Sequence, residues 1–583
     1  MFSLRKPVLL ILAAAPLLAT AVDYAAEGQL WWAHIQFLAG DKLQGRGIGT
    51  GGFRDAVEYV SGQFQRLGLK PAGASGYLQP VKLETRQVVA EESSLALVRN
   101  GAAEPLTLGA DATLSARAEL APRLEAPMVF VGYGLVIPEA HWDDLAGLDL
   151  KGKIAVYVNA PGPAEAPAPV KSHLTSFGER WKVLHAAGAV GIATIFAARY
   201  GAGAAGRGGA ATGADAAAGG AGRGGAASGA AVAGADAAVV APGRGGAAAS
   251  AAGRTARLAP PPSVSLADPA LSQTSGMAVF INVTARGAEK FFAGSGHTYA
   301  EIQQLVRANQ PLPRFPLTAS LRSQTTVKHD SLESTNVVGM APGHGKLRNE
   351  YVVLSAHLDH LGVDEPVNGD AIYNGAMDDA SGIASIIEVA RLLRASKARL
   401  KRSVVFLAVT AEEEGELGSQ YYAAHPTVPS RQIVADINLD MFLPLYPLKV
   451  IEVQGLMEST LGETVKAAAE ADGVAVQIDQ EPAENRFIRS DQYSFIRRGI
   501  PALAFKFGYQ PGSPDETTRR NWVRDRYHTP SDDLSQPVDT AAAAKFDRII
   551  LRLLEKVANG AARPEWHEDS FFRRFATAAT AEK

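Results

Sequence analysis

Seven residues in the second half of the chain carry side chains that can bind a metal ion, and each follows a short apolar run or begins a loop. In chain order they are His357, Asp359, Asp378, Glu412, Glu413, Asp440 and His528. Imidazole nitrogens and carboxylate oxygens are ligands for Zn²⁺, and two ions held about 3.5–4 Å apart support hydrolysis. If Asp378 is shared, the set completes three ligands for each of two ions. The pattern therefore predicts one hydrolytic site with two metal ions.

Each motif also has a structural explanation when it is taken alone. His357 and Asp359 form a His-x-Asp pair, which is often a surface ion pair, and His360 beside them is expected to cap or pack. Asp378 precedes an apolar helix pattern, where aspartate ordinarily caps the helix. Because two aspartates are adjacent, Asp379 can cap while Asp378 bridges two cations.

Three consecutive glutamates, residues 412–414, follow the apolar run Ser403–Val409. Like charges at a buried strand end repel one another and lose hydration unless a multivalent cation compensates. A solvated acidic loop is the alternative. Adjacent carboxylates can also differ in role, because one can bind a metal while its neighbour accepts a proton from water.

The composition narrows the chemistry further. The 583-residue chain contains no cysteine, which excludes thiolate metal sites, cysteine nucleophiles and disulfide bonds. Its net charge of −3 gives no electrostatic case for nucleic acid as a partner. Gly47, Gly49 and Gly52 match the spacing of a dinucleotide-binding loop, but no predicted strand precedes them. The nucleophile-elbow sequence of serine hydrolases is missing as well.

Strands and helices are predicted to alternate from Asn336 onward, which is typical of an open, mostly parallel α/β sheet flanked by helices. The predicted strands are Tyr351–Ser355, Ser403–Val409, Ile433–Leu439 and Ala502–Phe505, and the predicted helices are Ser381–Leu393 and Thr540–Val557. Ligands of such sheets bind beyond the carboxyl ends of the strands. The seven residues are expected to lie there.

Changes in composition divide the chain into five parts. Residues 1–21 have the pattern of an export signal, residues 22–115 form the N-terminal part of the main domain, and residues 116–310 form a small β-rich insert. A Gly/Ala-rich stretch at about residues 200–260 lacks the apolar side chains that ordering requires, so we expect a disordered loop. The catalytic region then runs from 311 to 565, and residues 566–583 form a tail.

The export signal predicts a periplasmic or secreted protein with no stable membrane insertion after the signal is removed. Arg5 and Lys6 precede the apolar run Val8–Leu18, and a small-x-small site follows at Ala19-Thr20-Ala21. An uncleaved N-terminal anchor is the alternative. The apolar run is short for a membrane span.

Six motifs together resemble the exported two-zinc aminopeptidases of metallopeptidase family twenty-eight. In chain order and spacing these are AHLDH, GAMDDASG, AEEEGELGS, NLDM, FIRSDQYSF and YHTPSD. The segment His34–Gly52 is similar to the N-terminal region of the family, and the β-rich insert looks like its protease-associated domain. The Gly/Ala-rich expansion departs from the family pattern.

The resemblance implies a role for each residue. It implies two zinc ions, one on His357, Asp378 and Asp440 and the other on Asp378, Glu413 and His528. It implies that Glu412 is the general base and that Asp359 orients His357. Asp491 and Tyr493 fall in a segment that the family uses near the substrate.

The resulting expectation is an exported metallo-aminopeptidase that acts on peptides or proteins, while its oligomeric state stays open. A carboxypeptidase or an aminoacyl-cyclising enzyme on the same fold is the alternative within the enzyme class. A non-catalytic peptide-binding protein is the alternative outside it, although every expected metal-ligand position is filled.

Overall fold

A computed structural model describes residues 22–160, 162, 166–196 and 262–576. The predicted export signal at residues 1–21 and the predicted disordered loop at about residues 200–260 lie outside the described residues. Within the described part of the chain, no helix combines the length and the apolarity that crossing a membrane requires.

The helices of the described residues are named α1 to α12 in chain order. Their bounds are α1 Tyr24–Leu38, α2 Gly51–Arg66, α3 Ala168–Thr175, α4 Phe177–Ala186, α5 Ala285–Phe292, α6 Tyr299–Arg307, α7 Ser381–Ser396, α8 Leu417–Ala424, α9 Leu461–Glu470, α10 Gln492–Ile496, α11 Pro514–Asp525 and α12 Thr540–Asn559. An irregular turn, Ala376–Ala380, leads directly into α7.

The strands of the same residues are named β1 to β22. Their bounds are β1 Lys70–Pro71, β2 Leu78–Val88, β3 Ser94–Arg99, β4 Ala102–Leu106, β5 Ala112–Leu114, β6 Arg123–Phe130, β7 Val136–Ile137, β8 Trp142–Asp143, β9 Ile154–Asn159, β10 Gly191–Phe196, β11 Ser263–Leu266, β12 Val279–Val283, β13 Phe315–Gln324, β14 Val327–Ala341, β15 Tyr351–His357, β16 Gly362–Val367, β17 Asp370–Tyr373, β18 Ser403–Val409, β19 Ile433–Asn438, β20 Val450–Gln454, β21 Ala475–Gln477 and β22 Ala502–Phe507.

The larger sheet is open and has parallel strands at its centre. Its order is β11-β2-β14-β18-β15-β19-β22-β20-β21, with β1 paired to β14. Strands β18, β15, β19 and β22 run parallel to one another, β2 and β14 are antiparallel to their neighbours, and β20 is antiparallel to β22 but parallel to β21. The mixed α/β fold predicted from the sequence is confirmed, with antiparallel strands added toward the edges.

Both faces of the central strands are covered, which explains their continuously apolar sequences. In β15, Val352 and Leu354 join a core built with α7 and α12, whereas Val353 joins a core on the opposite face with Tyr422 and Phe495. Successive side chains of a strand point to opposite faces, so a strand with two covered faces shows no polar alternation.

Helix α7 is buried more completely than its sequence pattern indicates. The pattern predicts one apolar stripe, yet Ser381, Ser385 and Glu388 are buried too. Trp31 of α1 reaches across and its indole nitrogen donates to the Ser381 carbonyl oxygen at 3.2 Å and to Ser385 Oγ at 3.0 Å. The N-terminal helix therefore covers the side of α7 that periodicity alone assigns to solvent.

The smaller sheet has the order β4-β3-β13-β6-β9-β10-β12-β5 and surrounds a separate apolar core. Its first strand in the chain begins at Ser94 and its last ends at Gln324, so its strands lie on both sides of the predicted insert boundaries. Strand β11 of the same region pairs instead with β2 of the larger sheet, between Leu266 and Leu83 and their neighbours. This pairing joins the two units through backbone hydrogen bonds.

Candidate metal centre

Most of the metal-competent residues lie at the carboxyl ends of the central parallel strands, while Asp378 comes from the turn before α7 and His528 follows α11. His357 is the last residue of β15, Glu412 and Glu413 follow β18, and Asp440 follows β19. Because these strands are neighbours and run the same way, their ends meet at one edge of the sheet. The tertiary structure thus brings together residues that are up to 83 positions apart in the chain.

Asp378 stands at the centre of the cluster, between two imidazoles. Its Oδ1 is 3.0 Å from His357 Nε2, and its Oδ2 is 3.1 Å from His528 Nε2. His528 Nε2 also lies 3.3 Å from Glu413 Oε2, and His357 Nε2 lies 3.9 Å from Asp440 Oδ1. The two carboxylate oxygens of Asp378 therefore face two different groups of potential ligands.

Ligand atoms of His357, Asp378 and Glu413 all lie within 4.8 Å of one another. These three side chains can therefore hold one metal ion without a large rearrangement. The donor set contains nitrogen and oxygen only, which suits Zn²⁺ and leaves room for cobalt or manganese.

Asp359 contacts its neighbours in a way that the sequence did not indicate. Its backbone carbonyl oxygen lies 3.1 Å from His357 Nδ1, so the main chain, rather than the carboxylate, makes the contact that orients the imidazole. The carboxylate instead accepts the N–H groups of Glu412 at 3.1 Å and Glu413 at 3.3 Å. One residue thereby fixes both the β15 end and the loop after β18.

The Asp379 carboxylate caps the first turn of α7, as expected, and it also accepts hydrogen bonds from two other loops. Its Oδ1 accepts the N–H of Gly382 at 2.9 Å in the first turn of α7 and the N–H of Met441 at 3.2 Å. Its Oδ2 accepts the N–H of His357 at 3.3 Å. This carboxylate links three of the loops that carry potential ligands.

His360 takes part in the cluster, although the sequence predicts only capping or packing for it. Its Nδ1 lies 2.7 Å from Glu413 Oε1, and its ring is 5.9 Å from the ring of His528. The sequence around His360 gives no sign of a contact with Glu413. The contact depends on the loop after β18 folding back over β15.

Arg46 and Asp532 position the Asp378 loop and were not among the predicted site residues. The guanidinium of Arg46 is fully buried and donates to the carbonyl oxygens of residues 38, 358, 374 and 375 at 2.7 to 2.9 Å. The Asp532 carboxylate accepts the N–H groups of Met377 at 2.9 Å and Asp378 at 3.1 Å. Asp532 belongs to the YHTPSD motif, which is the only signal the sequence offered for it.

The cluster holds more carboxylates than its imidazoles can neutralise. Burial opposes charge on every member, yet the neighbouring Asp378 raises the pKa of His357 well above its usual value, and Glu413 helps raise that of His528 to about 10. Against its burial, His528 lowers the pKa of Glu413 to about 2. Burial and Asp491 raise the pKa of Glu412 well above its ordinary value. Bound cations would relieve this excess of negative charge.

Asp491 and Tyr493, in the expected substrate segment, are both buried. Asp491 is fully buried, and burial together with Asp440 raises its pKa to about 7. The hydroxyl of Tyr493 contacts Nδ1 of His173 on α3, so Tyr493 joins the larger unit to the insert.

A cavity of about 320 Å³ extends from the cluster to the insert. Glu412, Glu413 and His528 line it, together with Arg117 and Phe177 of the insert. The volume is at the low end of the range for small-molecule sites. A short peptide is therefore a suitable occupant.

A parallel sheet that gathers imidazoles and carboxylates around one shared aspartate is suited to metal-dependent hydrolysis. Residues 336–554, which contain all seven metal-competent residues, match the family described as Peptidase family M28. This match confirms the sequence resemblance for that region of the chain.

Relatives of known description match parts of the chain. A probable leucine aminopeptidase 2 of Aspergillus oryzae is 30% identical over 198 residues, which cover 33% of this chain and 37% of that protein. A probable zinc metalloprotease of Pyrenophora teres f. teres is 24% identical over 326 residues, covering 50% of this chain and 63% of that protein. The matched parts thus span less than two thirds of either relative. The solved aminopeptidase from Aneurinibacillus sp. strain AM-1 aligns with a TM-score of 0.47 at 19% identity, covering 93% of this chain and 96% of that chain.

Proposed function

We propose that the chain is an exported metallo-aminopeptidase that removes N-terminal residues from peptides with two zinc ions and a glutamate general base. The observation that carries the proposal is the position of Asp378, whose two carboxylate oxygens face His357 and His528 at 3.0 and 3.1 Å. A carboxylate shared in this way is the arrangement that two neighbouring cations require.

The donor set fits two zinc ions. His357, Asp378 and Asp440 would hold one ion, and Asp378, Glu413 and His528 the other. Bound zinc would supply Lewis-acid chemistry, polarising the scissile carbonyl and lowering the pKa of water toward neutrality. The cluster contains more carboxylates than imidazoles, and this excess favours the binding of divalent cations. Each bound ion offsets the repulsion between like charges in a poorly hydrated site.

Glu412 is the proposed base because its carboxylate lines the cavity beside the ligand Glu413. The backbone N–H of Glu412 donates to the Asp359 carboxylate at 3.1 Å, which fixes where the Glu412 side chain begins. Glu412 would accept a proton from the attacking water and deliver it to the leaving amine. Burial and Asp491 raise the pKa of Glu412, which makes its ionised carboxylate a stronger proton acceptor.

The carboxylate side chains of the cavity lining support recognition of an N-terminal ammonium group. Glu416 is one of them, and burial together with Asp491 raises its pKa to about 8. A nearby ammonium would favour the ionised form of such carboxylates by direct attraction. A blocked N-terminus offers no such charge.

The proposal includes a periplasmic or secreted location, which rests on the export pattern of residues 1–21. Cleavage after Ala21 would leave the described chain beginning at Val22. N-terminal sequencing of protein recovered from the periplasm or medium tests this part. Recovery only in the membrane fraction with Met1 retained would support the anchor instead.

The test of the activity combines zinc content with a panel of small substrates. We expect about two zinc ions per chain, hydrolysis of aminoacyl amides and C-blocked dipeptides, and no hydrolysis of N-blocked dipeptides. Hydrolysis of N-blocked but not C-blocked substrates would establish the carboxypeptidase alternative. A zinc-loaded protein that cleaves none of the panel but binds peptides would favour a binding protein.

A further inference from the structure

The cavity beside the metal centre is lined by a cation that the proposed aminopeptidase reaction does not use. This cation is Arg117, which the insert contributes between β5 and β6. Glu412, Glu413 and Glu416 line the same cavity. The lining therefore contains both acidic and basic side chains.

Arg117 makes no ion pair with an acidic residue of the described chain. Of the other arginines that line this cavity, Arg497 pairs with Glu179 at 3.5 Å, and Arg489 donates to the backbone carbonyl oxygen of Glu484 at 3.2 Å. Among the described residues, no carboxylate lies within ion-pair distance of the Arg117 guanidinium. Burial lowers the pKa of Arg117 to about 10, and the neighbouring Tyr157 opposes this effect. Arg117 still carries its charge at neutral pH.

The guanidinium of Arg117 is held in place by apolar and backbone contacts. Its carbon lies 4.9 Å from the centre of the Phe177 ring, which is stacked on Phe280 at 5.0 Å. The backbone carbonyl oxygen of Arg117 accepts a hydrogen bond from Thr274 Oγ1 at 3.2 Å. A cation that stacks on an aromatic platform keeps its N–H groups free at the ring edge.

We propose that Arg117 binds a carboxylate of the substrate on the leaving-group side of the scissile bond. This inference rests on the proposed aminopeptidase function and names its substrate class, which is short peptides with a negative charge close to the cleaved bond. The planar guanidinium fork matches a carboxylate in a bidentate manner. The charge comes either from the C-terminal carboxylate of a dipeptide or from an acidic side chain in the second residue.

The proposed reaction gives the proposal its direction. The N-terminal residue of the substrate lies at the metal centre, so the product that leaves as an amine extends into the rest of the cavity, which residues of the insert also line. A carboxylate there supplies the acidic partner that Arg117 lacks. The insert thus selects substrates by charge.

The test compares substrates that differ in one charge. Zinc-loaded wild-type protein is assayed with leucyl-glycine and leucyl-glycinamide, and with the α-amides of leucyl-glutamate and leucyl-glutamine. We expect kcat/KM to be higher by about tenfold or more for the charged member of at least one pair. The first pair reports the C-terminal carboxylate, and the second reports the acidic side chain.

Arg117→Met should lose that preference and keep the rate on the uncharged substrates within about twofold. Arg117→Gln, which keeps a polar side chain, should do the same and serves if the methionine variant fails to fold. Arg123→Met is the matched control, because Arg123 is an exposed arginine of the insert outside the cavity lining. It should keep the wild-type preference.

The possible outcomes separate the inference from the proposed function. Wild-type protein that cleaves leucyl-glycinamide but prefers neither charged substrate overturns the role of Arg117 alone, as does a preference that survives in both Arg117 variants. Loss of rate on charged and uncharged substrates alike in the variants also overturns it. Zinc-loaded protein that cleaves none of the amides overturns the proposed aminopeptidase and, with it, the inference.

Discussion

Asp378 and Glu412 differ in the kind of contact that each makes, and the difference predicts distinct consequences of mutation. Asp378 touches two imidazoles directly, whereas the Glu412 carboxylate lies in the cavity wall while its main chain is held by Asp359. Removal of the Asp378 carboxylate should affect the metal content. Removal of the Glu412 carboxylate should affect the rate of hydrolysis.

Asp378→Ala should reduce bound zinc from about two ions per chain to less than one, because each proposed site loses a ligand. Elemental analysis after gel filtration measures this directly. Asp330→Ala, at an exposed aspartate of β14, is the control and should keep the metal. Unchanged zinc in Asp378→Ala would remove Asp378 from the ligand set.

Glu412→Gln should keep the zinc and lose about 10²–10⁴ of kcat, the contribution usual for a general acid–base group. The amide has nearly the same shape as the carboxylate but cannot accept the proton of water. Turnover of an aminoacyl amide at saturating substrate is the measurement, and Glu470→Gln on exposed helix surface is the control. Near wild-type turnover in Glu412→Gln would exclude it as the base.

At the scale of elements, the metal centre depends on a turn from the opposite end of the chain. The turn Asp41–Arg46 places the Arg46 guanidinium among carbonyl oxygens that flank the His357 and Asp378 loops. Residues 336–554, which carry the family match, do not include this turn. The N-terminal segment is therefore part of the site's support.

Arg46→Met should destabilise the protein by about 3 kcal/mol or more, because it leaves several buried carbonyl groups without donors. Urea unfolding at pH 7, followed by circular dichroism, measures the change. Arg54→Met is the matched control, since Arg54 is exposed on α2 and makes one long hydrogen bond of 3.4 Å. Equal stability of the two variants would mean that water or neighbouring donors replace Arg46.

At the scale of the whole molecule, a buried histidine links the insert to the larger unit. His173 of α3 meets the Tyr493 hydroxyl of α10, lies 3.7 Å from Glu179, and packs against the rings of Phe571 and Phe575. The C-terminal residues of the described chain thereby close over the junction. Protonation of this histidine would place a charge in a largely apolar contact.

This junction predicts a loss of stability in acid. Burial lowers the pKa of His173 to about 4, although Glu179 opposes the effect, while the unfolded value is about 6.5. Because the folded pKa is depressed, the unfolded chain binds the proton first. The neutral ring therefore contributes about 3 kcal/mol above pH 6.5, which is lost as the pH falls toward 4.

His173→Gln should remove that part of the acid dependence. The melting temperature of wild-type protein should fall more steeply between pH 7 and pH 4.5 than that of the variant. His141→Asn, at an exposed histidine of the insert, should follow the wild type. Parallel curves for His173→Gln and wild type would show that other groups dominate in this range.

The sequence by itself determined the α/β class, the central strands and the order of the chemical motifs. Strand β18 has the bounds Ser403–Val409 that its apolar run predicts, and α12 begins at the predicted Thr540. These features could be predicted because periodicity and strand burial are local properties of the chain. The convergence of strand ends at one edge then follows from the topology of a parallel sheet.

Only the tertiary structure decided which side chains support that edge. Arg46 meets a carbonyl 312 positions away, His173 meets a tyrosine 320 positions away, and the partner of His360 is set by the folding of a loop. No local pattern encodes such contacts, because they depend on the packing of elements that are distant in sequence. The same packing left Arg117 without an acidic partner on a cavity wall, which composition and motif spacing could not indicate.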